Sequence, residues 1–237
     1  SKEITNMKNN TWKKYMGITA ITAVLLVGSV SAYFTDQDEK TNTFTVGKVT
    51  IDLEEPEWDK KPDENGNDIP DEAENMTPNQ TIEKDPQVKN TGTNDAFVYM
   101  TVEVPCKKIV TVNNDGTRNP EAVRELYTYQ TDSSWKLLGS VDVTDETGEK
   151  TAVKHLYAYA GAQGTCTVVK PQETTKNLFR EVTFVNAMEG QGLENGMYKI
   201  GIKAFGIQTT DLNGGTNNAV EIWKIISNQR ELAESFS

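Results

Sequence analysis

His155 is the single histidine in 237 residues, and it bounds the chemistry at once. A zinc helix of the HExxH type needs two histidines on one face, so that motif is absent. A serine triad would have to use His155, yet no GxSxG elbow accompanies it. Neither a phosphate-cradling P-loop nor a GxGxxG turn occurs. His155 stands in a strand pattern beside Tyr157 and reads as structural. Carboxylates are plentiful, 35 in all, so pairs of the kind glycosidases use arise by number alone. Asp63, Asn65, Asn67 and Glu74 fall at places 1, 3, 5 and 12 of a calcium-loop count. The sharp turn at place 6 wants glycine, but Asp68 stands there and Gly66 two earlier, so the segment reads as a solvated acidic loop. The sequence thus assigns no catalytic residue, no metal ligand and no cofactor.

Two further spacings bear on chemistry. Cys106 and Cys166 are the only cysteines and form no CxxC pair. In an oxidising compartment they form one disulfide if their Cα atoms lie within about 7 Å, and otherwise remain two buried thiols. The second spacing is a processing site. Lys8, Lys13 and Lys14 precede an apolar run from Met16 to Val30, which exits through Ser31, Ala32 and Tyr33. A basic start, an apolar core and small exit residues define a secretory signal peptide over residues 1–32, with cleavage after Ser31 or after Ala32. The alternative is a retained anchor. It is disfavoured because a span needs roughly 20 apolar residues and Asp36, Asp38 and Glu39 follow closely.

Behind these sites the chain reads as all-β. Residues 33–53 form an N-terminal strand segment. Phe44 and Val46 alternate with threonines, then Gly47 shifts the phase to Val49, Ile51 and Leu53. Residues 54–81 hold four of the eight prolines and many acids, and read as a mobile acidic loop or insertion. In residues 82–212 strands return. Ala96, Val98, Met100, Val102 and Val104 point one way, Phe97, Tyr99, Thr101 and Glu103 the other, until Pro105. A short strand follows over 109–112, a helix or turn over Ala122 to Tyr127, and strands near 135–143, 153–159, 165–169, 182–185 and 197–207. Residues 213–237 carry an amphipathic helix, with a capping-box spacing from Asn218 to Glu221 and a stripe of Ile222, Trp223 and Ile226. Eight or nine short strands indicate a jelly-roll-like β-sandwich with a short C-terminal helix.

Charge excludes one class of partner. Residues 1–32 carry four lysines and one glutamate, so the remainder holds 20 basic and 34 acidic side chains. Such a surface repels phosphate backbones, and nucleic acid is not an expected partner. Aromatics at 8% and regular apolar alternation speak against wholesale disorder.

Three stretches together resemble the camelysin/TasA family of secreted bacterial proteins. They are the apolar signal running into AYFTDQDEKTNTFTVGKVTIDL, then DPQVKNTGTNDAFVYMTVEVP, then KPQETTKNLFREVTF. The family's aromatic and acidic segment corresponds to Tyr33, Phe34 and Asp36, and its following strand to Phe44, Gly47, Val49 and Ile51. The resemblance implies a jelly-roll domain, export through a signal peptidase, no stable membrane span after cleavage, and a place in the extracellular matrix or on the cell surface. It further implies a homopolymer, a biofilm fibre in which the freed N-terminal segment completes a neighbour's sheet. Phe34, Phe44, Val46 and Gly47 are then the residues that bind the next subunit, Gly47 as hinge. Other members carry a metallopeptidase label, from which this chain departs by lacking a second histidine. Two alternatives stand beside the fibre: a secreted metallopeptidase of the camelysin type, and a monomeric surface binding module.

Overall fold

The computed structural model describes residues 49–230, apart from 65, 67, 68, 195 and 213. The signal segment, Ser31, Ala32, Tyr33, Phe34, Phe44, Val46 and Gly47 therefore lie outside the described residues, as do Asn65 and Asn67 of the calcium-loop count. Within them the strands in order are β1 (Ile51–Glu54), β2 (Thr81–Glu83), β3 (Gln87–Asn90), β4 (Ala96–Ile109), β5 (Ala122–Glu125), β6 (Tyr127–Thr128), β7 (Trp135–Thr144), β8 (Lys150–Tyr159), β9 (Glu181–Phe184) and β10 (Gly201–Gln208). One helix, α1 (Ala219–Arg230), follows. All strand pairings are antiparallel. The large sheet runs β10-β4-β8-β7 with β5 also on β4; β2-β9-β6 and β1-β3 form two small sheets.

β4 is the spine, and its alternation sets the layers. Val98, Met100, Val102 and Val104 turn inward and pack with Ile51, Ile82, Val88, Phe179 and Val182 from the small sheets and their connections. Phe97 and Tyr99 turn outward and pack with Leu156, Phe205 and Ile207 under Ile222, Trp223 and Ile226 of α1. Burying one such side chain stabilises the fold by roughly 1.5–3 kcal/mol. A strand apolar on both faces needs cover on both, and here the small sheets and the helix supply it. The all-β architecture with a short C-terminal helix is therefore as the sequence reads. The helix starts where its cap predicts, with the Asn218 side chain accepting the Val220 and Glu221 main-chain N–H at 3.0 and 3.1 Å. None of the described helices is long and apolar enough to cross a membrane.

Local readings change in several places. The segment expected as a helix or turn at 122–127 is strand, because β5 pairs with the Cys106–Ile109 end of β4. β4 does not stop at Pro105 but runs four residues further, to Ile109. Proline costs it only a donor, and the Pro105 carbonyl still takes the Leu126 N–H at 2.9 Å. Residues 165–169 make isolated bridges instead of a strand, Ala160 to Cys166 and Ala96 to Val169 among them. The acidic excursion after β1 touches the core at a few residues. Trp58, Ala73 and Met76 pack on the inner core. The buried Asp85 carboxylate accepts the Glu57 and Trp58 N–H at 3.0 and 3.3 Å. Lys84 lies 4.1 Å from the Trp58 ring centre and 2.9 Å from Glu55. Burial lifts the Glu55 carboxyl above its ordinary range, although Lys84 pulls it the other way.

Candidate functional site

The described residues begin at Val49, just after those the sequence marks as functional. β1 takes in the end of the N-terminal strand segment and pairs only with β3 among the described residues. The Thr50 carbonyl takes the Thr91 and Gly92 N–H at 2.9 and 3.0 Å. Main-chain groups alternate along a strand, so Ile51 and Leu53 turn theirs toward the opposite edge. No described strand pairs there. Ile51 itself is held firmly: it is 1% exposed. A Cβ placed on Gly206 of β10 would come within 3.0 Å of the Ile51 Cγ2 and 3.4 Å of the Val49 Cγ1. Glycine at 206 thus lets β1 lie close over β10, whose outer edge also has no described strand partner.

Cys106 and Cys166 are both buried and both free, so the disulfide that the sequence leaves open is not formed. The fold separates them: Cys106 lies opposite Glu125 at the far end of β4, and Cys166 lies under α1. The Tyr99 hydroxyl stands 3.3 Å from the Cys166 sulfur and donates to the Ala219 carbonyl at 2.9 Å. Burial raises both thiols above their ordinary range. Neither is poised for exchange chemistry, which requires the thiolate.

His155 does not stand alone as its sequence context suggests. Its Nδ1 lies 2.7 Å from the Ser140 hydroxyl and its Nε2 lies 2.8 Å from a Glu125 carboxylate oxygen. Three strands contribute one residue each: β7, β8 and β5. A carboxylate only accepts, so when the ring is neutral its proton sits on Nε2 and Nδ1 is left to accept the Ser140 O–H. The Tyr129 and Tyr157 hydroxyls meet nearby at 3.1 Å, and the Tyr157 ring lies 6.4 Å from the imidazole. Sequence reasoning names neither Ser140 nor Glu125. Nothing in the spacing of the three residues, 15 apart on each side of Ser140, marks them before β5 is known to be a strand.

Taken together, the described residues define an all-β sandwich domain with a helix sealing one sheet, an unpaired edge on its first strand, and one histidine tied into a polar chain. A model of the family described as Camelysin metallo-endopeptidase matches residues 11–193, and the chain belongs to that family. No curated protein and no solved structure matches it. The family description implies a metal, and the described residues do not fit one. No three His, Cys, Asp or Glu side chains among them stand together to hold an ion. Both ring nitrogens of His155 are already engaged within the protein.

Proposed function

We propose that the protein is an exported structural subunit of the extracellular matrix or cell surface, which assembles into fibres by donating its N-terminal strand. The observation that carries this reading is the position of β1: it ends the segment behind the signal, and its second edge has no strand partner among the described residues. Signal peptidase cleavage after Ser31 or Ala32 frees residues 33–46. The freed strand of one copy, with Phe34, Phe44 and Val46 as its apolar side chains, adds to an open sheet edge of the next. Main-chain hydrogen bonds supply affinity and alternate side chains supply register. Head-to-tail addition does not close on itself, so the product is a filament.

The test is removal of residues 33–46 from the exported form. Negative-stain electron microscopy should show filaments of the full mature chain and only a folded monomer of the shortened one. Filaments of the shortened chain would refute the donor role. The family description favours a second reading, a secreted endopeptidase. Casein digestion by the purified mature protein, with and without a chelator, addresses it: chelator-sensitive cleavage supports that reading and no cleavage counts against it.

A further inference from the structure

We propose that Ser140 is a base-activated nucleophile that accepts an acyl group from a small activated ester. The inference does not rest on strand donation, because Ser140 lies on β7 and β1 pairs only with β3 among the described residues.

Geometry carries it in two ways. First, Ser140, His155 and Glu125 form a continuous chain of short contacts, 2.7 and 2.8 Å. A hydroxyl bonded to an imidazole that a carboxylate orients is the arrangement that activates a serine. Second, the strand register is broken twice to make it. From Thr144 opposite Lys150, a regular hairpin would set Gly139 opposite His155. Instead Thr151 is passed over, Val143 faces Ala152, and Ser140 comes opposite His155. Leu138 is then passed over, and Leu137 faces Tyr157 in the original phase. A slip of one residue moves a side chain to the other face of the sheet. Between the two irregularities only the stretch 139–143 is shifted, and its shift is what delivers the Ser140 hydroxyl to the imidazole. Bulges re-aim side chains and gather beside functional residues.

The chemistry balances without a further reagent. The Ser140 oxygen attacks the ester carbonyl carbon and its proton passes to His155 Nδ1. The bond from that carbon to the leaving oxygen breaks, and the leaving group departs with the Nδ1 proton as an alcohol or phenol. Ser140 is left as an ester. His155 is 16% exposed at its side chain and Glu125 33%, so solvent and small reagents reach the group. A cleft of about 530 Å³ includes Glu125 in its lining but neither Ser140 nor His155. The geometry therefore supports a stoichiometric modification of Ser140 and not turnover in a closed pocket.

The test treats the folded mature chain with p-nitrophenyl acetate and maps the acetylated residues by peptide mass spectrometry. Ser133, exposed just before β7, is the internal reference, since the one histidine of the chain lies against Ser140. Ser140 should acquire its ester at least tenfold faster than Ser133, and His155→Asn should lose that advantage. Equal rates at the two serines, or an undiminished Ser140 rate in His155→Asn, would overturn the proposal. The comparison of the two serines needs no variant, so it stands even where His155→Asn does not fold.

Discussion

Among the described residues the large sheet ends in two strands, β7 and β10, whose outer edges differ. β7 breaks register twice against β8 and carries Lys136 and Asp142, the latter 2.7 Å from Lys150. Bulges and charges are the devices by which proteins discourage pairing at an edge. β10 holds an unbroken register of eight pairs with β4, and Lys203 is its only charge. Its residues Ala204, Phe205, Gly206 and Ile207 are all buried, the glycine under β1 and Phe205 under the Trp223 ring at 5.3 Å. One edge strand is irregular and charged, while the other is regular and buried between β1 and α1. In the proposed strand donation, the regular edge is the one offered for pairing.

That contrast can be broken from either side. Trp223→Ala removes the ring that covers Phe205 and Tyr99 and should have the largest effect. Truncating a buried tryptophan costs about 3–5 kcal/mol, read as a lower urea midpoint with an unchanged slope. Gly206→Val acts from the opposite face, forcing a side chain against Ile51 and Val49. Overpacking of this kind costs about 1–3 kcal/mol, and if the β1–β10 edge takes part in assembly, filament yield should fall further than stability does. Asp142→Ala at the irregular edge removes a half-exposed ion pair and should cost at most about 1 kcal/mol, visible as a small shift in the urea midpoint that shrinks at high salt. The smallest effect concerns pH. Hydrogen bonds from the Thr147 side chain and the Glu149 and Thr147 main chain hold the Asp145 carboxyl below its usual range at the β7–β8 turn. Such a group adds stability above its unfolded value of about 4 and loses it as pH falls through the lower folded value. Asp145→Asn should therefore be less stable than the parent at neutral pH, and the gap between them should close in acid.

How much of this was legible along the chain depended on the range of the interaction. The two faces of β4 followed from alternation alone, Val98, Met100 and Val102 against Phe97 and Tyr99. So did the start of α1, since Asn218 caps it with atoms only two and three residues away. The segment at 122–125 misled because Asn119-Pro120-Glu121 is a sound local helix start, and a strand forms there only because the end of β4 offers a partner. The anchoring of the acidic excursion was hidden for a similar reason. Its composition reads as solvated, while its placement rests on Asp85 and Lys84, which are 27 and 26 residues from Trp58 in sequence and adjacent to it in space.

Periodicity, caps and turn chemistry are properties of neighbouring residues, so the amino-acid order alone determined that this protein is a β-sandwich with one terminal helix, that β4 alternates its side chains between two faces, and that one histidine serves the whole chain. Register and partnership between distant strands depend on which surfaces close over which, and no local pattern encodes them. Tertiary structure alone therefore decided that Cys106 and Cys166 stay apart, that β1 lies over Gly206, and that a paired slip in β7 sets Ser140 against His155 and Glu125.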